Sequence, residues 1–217
     1  MRRAWQTVLA TLLALSAMGG AVWAETEIEV FNGGFELLPP GVSAEQALGK
    51  VPYGWAATSP GGSWQVGLSQ EKVLSGTYSV NITVDASQGG ILVSSKPIPV
   101  EPGKTYAALW NVYNVHQPPT YQEGIHLYLE FWPEGGWWGD EDYWSAASWE
   151  QSRPAPWSTR SRVGVFWEGK AQTFDQWFQV VVAGQAPQDA KYATLSLWTA
   201  NRTMKVYVDD VRFAVLD

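Results

Sequence analysis

Apolar and polar residues alternate along most of this chain, and that pattern restricts the fold more than any other feature. A period of two places every second side chain on one face of a strand, so each segment predicts a strand with one buried face. The segments are Tyr78–Val84, Tyr106–Val115, Ile125–Trp132, Trp177–Ala183, Ala193–Ala200 and Met204–Val215. Turn-forming residues separate them, as in Glu101-Pro102-Gly103-Lys104. The sequence therefore predicts an all-β protein, an antiparallel sandwich or barrel.

One short helix is expected before these strands. Ser43 is a suitable N-cap, Gln46 stands three residues later as its capping-box partner, and Gly49 supplies a stop.

The first 24 residues have the organisation of a secretory signal peptide. Arg2 and Arg3 precede the apolar run Val8–Met18, and Val22-Trp23-Ala24 places small residues before a cleavage site at Glu25. The apolar run is too short to span a bilayer as a helix. We therefore expect a secreted protein, extracellular or periplasmic, whose residues 25–217 form one domain without a membrane-inserted segment.

Charge and composition exclude several classes of function. Without the leader, 12 basic residues face 21 acidic ones, which disfavours nucleic acid because a phosphate backbone needs a basic partner. The chain has no cysteine and only two histidines, His116 and His126, so thiol chemistry is excluded and a histidine-rich metal site is disfavoured.

Seven of the 14 tryptophans lie between Trp132 and Trp167, in a stretch with neither strand nor helix periodicity. We interpret residues 133–167 as a long insertion between two strands, because loops of that length are usually functional or disordered and this one is too aromatic for disorder. Trp137, Trp138 and Trp144, near Asp140, Glu141 and Asp142, are the insertion residues expected to touch a ligand. The alternative is that they belong to a solvated acidic turn.

Four short motifs occur in a fixed order along the mature chain. They are Asn32-Gly33-Gly34-Phe35-Glu36, Ser75-Gly76-Thr77-Tyr78-Ser79-Val80, Val100-Glu101-Pro102-Gly103-Lys104-Thr105-Tyr106 and Val206-Tyr207-Val208-Asp209-Asp210-Val211. With its motifs in this order, the chain resembles carbohydrate-binding modules of the family 4/9/16/22 type. The resemblance implies a jelly-roll β-sandwich of the galactose-binding-domain-like superfamily, although a fold does not fix a ligand.

The resemblance also implies a structural Ca²⁺ between the first and last strands. The matching residues here are Glu36 and Asp209, with Asp210 as a weaker candidate. Calcium accepts such carboxylates together with main-chain oxygens, and strands disfavour an Asp-Asp pair without a reason. The alternative is that these acids only accept hydrogen bonds from backbone amides in turns.

One exposed face is expected to bind a polysaccharide or oligosaccharide. Aromatic rings stack on the apolar face of a sugar, while polar side chains bond its hydroxyl groups. Alternation predicts that this face carries Asn111, Tyr113, His126, Tyr128, Glu130, Trp132 and Trp198. The alternative is that the insertion covers the face and makes a second, smaller core.

Two functions remain open at this stage. The first is a secreted, non-catalytic carbohydrate-binding protein. The second is a structural or assembly protein, a fibre or layer subunit that self-associates through its aromatic loop. A glycan-cleaving enzyme is the least favoured, because nothing pairs a proton donor with a nucleophile among Glu130, Glu134, Glu150 and Glu168.

Overall fold

The structure, a computed structural model, describes residues 26–58, 63–85, 91–115, 125–133, 164–170, 174–199 and 204–216. Its elements are β1 (Thr26–Ile28), α1 (Ala44–Ala47), β2 (Trp55–Thr58), β3 (Ser63–Ser69), β4 (Ser79–Asp85), β5 (Ile91–Ser95), β6 (Ile98–Pro99), β7 (Thr105–Asn114), β8 (Ile125–Trp132), β9 (Gly164–Lys170), β10 (Trp177–Gln185), β11 (Tyr192–Thr199) and β12 (Met204–Val215). The leader predicted at 1–24 lies outside the described residues.

Two antiparallel sheets make up the fold. Sheet I has the strand order β10-β7-β12-β4-β3, with β1 added on β12. Sheet II has the order β2-β5-β11-β8-β9, with β6 added on β11. The predicted all-β antiparallel sandwich is confirmed. All six strands expected from alternation are present, whereas β1, β2, β3, β5, β6 and β9 were not predicted.

The core lies between the sheets and is built by the predicted alternation. On β8, Ile125, Leu127, Leu129 and Phe131 are almost completely buried, and Ala193, Leu195 and Leu197 of β11 lie beside them. Each of these Ile, Leu and Phe side chains stabilises the fold by about 1.5–3 kcal/mol on burial.

Aromatic rings pack against one another at two points in this core. Trp55 packs edge-on against Trp110 with ring centroids 5.7 Å apart, and Phe35 adds a tilted contact to Trp55 at 5.2 Å. At another point Tyr106 stacks on Phe213 with centroids 5.2 Å apart. The Trp55–Trp110 contact joins β2 of sheet II to β7 of sheet I, and the Tyr106–Phe213 contact joins β7 to β12 within sheet I.

The short helix forms as predicted. The Ser43 hydroxyl accepts from the Gln46 N–H at 3.3 Å, and the Gln46 side chain accepts from the Ser43 N–H at 2.9 Å. This capping box satisfies N–H groups that a helix start leaves without partners. Gly49 follows with φ +75, the left-handed conformation expected of a helix stop. Among the described residues, no helix is long and apolar enough to cross a membrane.

The expected insertion connects β8 to β9, which pair with each other from Ile125–Lys170 to Phe131–Gly164. Its predicted range of 133–167 is too long at the C-terminal end, because β9 already begins at Gly164. Trp132 and Trp167 therefore belong to paired strands. The intervening tryptophans, including Trp137 and Trp138, lie outside the described residues.

Candidate functional site

The outer face of sheet II is the candidate site. Because alternate residues of β8 point into the core, His126, Tyr128, Glu130 and Trp132 take the opposite face. The register then fixes their neighbours on the adjoining strands. Tyr128 lies opposite Ser196 of β11 and Trp167 of β9, and His126 lies opposite Trp198. Predicted residues from distant parts of the sequence thus come together on two neighbouring strands, β8 and β11, and β9 adds Trp167, which was not predicted as a site residue.

This face has a partly exposed end and a closed end. His126 and Tyr128 are partly exposed, whereas Glu130 and Trp132 are only 2% and 1% exposed. The expectation that all four share an exposed surface is therefore wrong for Glu130 and Trp132. Alternation correctly predicted which face of the strand these residues occupy, but it carries no information about burial of that face.

A polar network holds the closed end. The Ser196 hydroxyl donates to Glu130 Oε2 at 2.9 Å, and the Thr194 hydroxyl lies 3.5 Å from the same oxygen. The Trp132 indole N–H donates to Thr194 Oγ1 at 2.9 Å. Buried carboxylates require such partners, because desolvation without them costs several kcal/mol.

Sequence reasoning missed Thr194 and Ser196 as members of the site. The signal was present, since both polar residues alternate with Ala193, Leu195 and Leu197 on one strand. Both are fully buried on the side of β11 opposite the core, so their partners had to be found on a neighbouring strand.

Asn111 and Tyr113 do not belong to this face. They lie on β7, which pairs with β10 and β12 in sheet I, on the other side of the sandwich. Tyr113 contacts Trp177 and Tyr207 edge-on, with centroids 5.7 and 6.3 Å away. Asn111 is 3% exposed and donates to the Asp210 carbonyl oxygen at 3.0 Å. The prediction is corrected because β7 and β8, although consecutive, enter different sheets.

A charged group lies beside the sheet I aromatics. Lys205 pairs with Glu71 at 2.9 Å, and the Tyr207 hydroxyl donates a short hydrogen bond to the same carboxylate. The Tyr207 hydrogen bond and then Lys205 lower the pKa of Glu71 below its usual value. Lys72 completes the group, with its ammonium 5.1 Å from the centre of the Tyr113 ring. An ammonium over an aromatic face is a favourable cation–π contact, so Lys72 covers one face of the Tyr113 ring.

The motif at residues 32–36 forms a turn that we call the N-terminal hook, residues 30–36. Asn32 and Phe35 have φ of +54 and +61, unusual for side chains with a Cβ. The Asn32 amide secures the hook by donating to the carbonyl oxygens of Leu37 and Tyr53. The hook docks on β12, where the Val211 N–H donates to the Gly33 carbonyl at 2.9 Å.

The last motif forms a β-bulge at the docking point. The register of β12 against β7 shifts between Asp209 and Arg212, and Asp210 has φ +47. This explains the Asp-Asp interruption of the strand, since Asp tolerates the left-handed conformation better than most residues. Arg212 pairs with the Asp210 carboxylate at 2.7 Å.

Glu36 and Asp209, the predicted calcium ligands, both accept hydrogen bonds from the loop that precedes β4. Glu36 Oε1 accepts from the N–H groups of Thr77 and Tyr78, and Asp209 Oδ2 accepts from those of Leu74 and Ser75. Burial raises the pKa of Asp209, and these hydrogen bonds oppose that rise. Within the described ranges, no group of three or more acidic or histidine side chains could hold a metal ion. The geometry matches the alternative expected for these acids, and calcium binding stays a prediction.

Solved structures of other proteins share the fold of this chain, although sequence comparisons find no match. No protein-family model matches the sequence, and no curated protein matches it. A solved structure of the enzymatically active domain of bacteriophage CBA120 tailspike protein 4 is 10% identical, with a TM-score of 0.54 over 75% of this chain. The family 22 carbohydrate-binding and GH10 modules of Clostridium thermocellum xylanase 10B, solved with xylohexaose, are 15% identical, with a TM-score of 0.50 over 89% of this chain.

These two matches cover 19% and 29% of the other chains, so this chain spans less than a third of either. TmCBM61, solved with β-1,4-galactotriose, is 11% identical with a TM-score of 0.48, over 87% of this chain and 99% of that one. The chain has the fold of a carbohydrate-binding module. The resemblance predicted from the four motifs is confirmed at that level.

Proposed function

We propose that this chain is a secreted, non-catalytic protein that binds a neutral polysaccharide at the partly exposed end of the sheet II face. The strand register carries the proposal. It pairs Tyr128 with Trp167 of β9 and His126 with Trp198 of β11, so that these four residues occupy neighbouring positions on adjacent strands. Aromatic rings and polar groups on one rigid sheet can stack on a sugar ring and bond its hydroxyls.

The charge of the chain supports a neutral ligand over an acidic one. The full sequence has a net charge of −7, and a glycan rich in uronic acid would meet that negative field. The xylohexaose bound to the xylanase modules indicates the first ligands to try, soluble β-1,4-linked chains.

The test compares two tyrosines on opposite sides of the sandwich. Affinity electrophoresis and calorimetry with xylan, β-glucan and galactan would measure binding by the wild type, Tyr128→Ala and the matched control Tyr113→Ala. We expect Tyr128→Ala to weaken binding at least tenfold, about 1.4 kcal/mol, while Tyr113→Ala keeps it. Equal loss in the two variants, or full affinity in Tyr128→Ala, would refute the proposed surface.

Three further measurements test the rest of the proposal. Incubation with the bound glycan should release no new reducing ends, which matters because both matched chains include enzymatic parts. Sedimentation should show no polymer; a polymer would favour the assembly alternative. N-terminal sequencing of exported protein should begin at Glu25.

A further inference from the structure

Glu36 of the N-terminal hook and Asp209 of the β12 bulge both accept hydrogen bonds from N–H groups of the loop 74–78. We call these two side chains and the loop N–H groups that donate to them the carboxylate clasp. The distances from Glu36 Oε1 to the Thr77 and Tyr78 nitrogens are 2.8 and 2.9 Å. Those from Asp209 Oδ2 to the Leu74 and Ser75 nitrogens are 2.8 and 3.0 Å. Hydrogen bonds to an ionised acceptor are about twice as strong as neutral ones.

The donor set of the clasp does not fit a calcium ion. A calcium ion takes six to eight oxygen ligands. Each carboxylate oxygen offers two lone pairs, and two N–H groups already occupy both on Glu36 Oε1 and on Asp209 Oδ2. Asp209 Oδ1 also accepts from the Asp210 N–H at 2.7 Å. What remains of the two carboxylates is Glu36 Oε2 and one lone pair of Asp209 Oδ1.

Asp210, the third predicted calcium ligand, is paired with Arg212. Both oxygens of the Asp210 carboxylate lie 3.1 Å from Arg212 Nε, and Oδ2 lies 2.7 Å from an outer guanidinium nitrogen. A divalent cation beside Asp210 would have to displace this cation or tolerate its repulsion.

Gly76 shows how closely the loop approaches Glu36. It has φ +68, and a Cβ added there would lie 2.5 Å from Glu36 Oε1. The loop backbone is therefore wrapped around the carboxylate with its N–H groups pointing inward, which is the orientation that binds an anion.

We propose that backbone N–H groups close the clasp in place of a calcium ion, so that folding of this chain is independent of calcium. The N–H dipoles compensate the two carboxylates directly, and the loop is ordered by them. This inference is separate from the proposed glycan binding, and either can fail without the other.

The first test is the thermal unfolding midpoint of the chain, with EDTA and with millimolar calcium. We expect the two midpoints to agree within about 1 °C. A ligand at about a hundred times its Kd would raise the midpoint by roughly 5–11 °C in a protein of this size. A rise with calcium beyond the 1 °C agreement would overturn the proposal.

Two isosteric variants give a second test. Glu36→Gln keeps a carbonyl oxygen for both N–H groups, whereas Asp209→Asn cannot accept at both ends of its side chain. The clasp therefore predicts a small loss of midpoint for Glu36→Gln and a large one for Asp209→Asn, in EDTA and in calcium alike. The control Asp210→Asn should stay close to the wild type. Equal large losses for Glu36→Gln and Asp209→Asn that appear only in calcium would refute the clasp, and the wild-type comparison remains decisive if a variant fails to fold.

Discussion

Replacing Gly33 with alanine is expected to push the N-terminal hook away from β12. A Cβ added to Gly33 would lie 2.4 Å from the Val211 carbonyl oxygen and 3.2 Å from the Val30 Cβ. The first of these contacts is with backbone, so a side-chain rotation cannot relieve it. The hook must move by about 1 Å to restore a normal contact distance.

The expected cost combines two effects. Overpacking of a well-packed site costs about 1–3 kcal/mol, and loss of the 2.9 Å hydrogen bond from the Val211 N–H to the Gly33 carbonyl adds about 1 kcal/mol. A total of about 3 kcal/mol corresponds to a fall of roughly 6–12 °C in the unfolding midpoint of a protein of this size. Because Glu36 belongs to the same hook, the amides of Thr77 and Tyr78 should also lose protection.

Thermal unfolding and amide hydrogen exchange would measure both effects, and the next residue supplies the control. A Cβ added to Gly34 meets nothing within 4 Å. Gly34→Ala should therefore change stability by less than about 0.5 kcal/mol. Equal midpoints for Gly33→Ala and Gly34→Ala would show that the close approach to Val211 does not constrain the fold.

Two further changes probe the two outer faces of the sandwich. Ser196→Ala removes the 2.9 Å donor of buried Glu130 and should cost about 1–3 kcal/mol in urea unfolding; a loss below about 0.5 kcal/mol would contradict the network. The hydrogen bonds from Tyr207 and Lys205 lower the pKa of Glu71 in the folded protein below its unfolded value near 4.5. The ionised carboxylate therefore stabilises the fold above pH 4.5, and this stabilisation is lost as the pH falls through the folded pKa. Glu71→Gln should remove that pH dependence, an effect below about 1 kcal/mol because the side chain is largely exposed; a wild-type pH profile in the variant would refute it.

Six of the twelve described strands and the helix can be predicted from local pattern. Alternation on β8 and β11 is decided by neighbours two residues apart, and the Ser43–Gln46 capping box by residues three apart. Both signals lie within a few residues of sequence, so no knowledge of the distant chain was needed. The resemblance of the four motifs to carbohydrate-binding modules added the jelly-roll architecture.

The composition of the site could be predicted only in part, because it depends on which strands become neighbours. Alternation shows that Tyr113 and Tyr128 point away from the core, but not that β7 and β8 join different sheets. Nor does it show that Glu130 is buried while Tyr128 is partly exposed on the same face. Nor does alternation show that the Asp209-Asp210 pair forms a bulge with amide and guanidinium partners, and calcium binding there stays a prediction.

The position of β12 in sheet I has a consequence for how the protein is made. This 12-residue strand lies between β7 and β4, yet it follows every other described strand of sheet I in the chain order. Until β12 is in place, sheet I can exist only as two separate pairs, β3 with β4 and β7 with β10, each with an unpaired inner edge. Such edges are where chains stick to one another. Sheet I therefore closes only when β12 docks, and the interval before that step is when the folding chain is most exposed to aggregation.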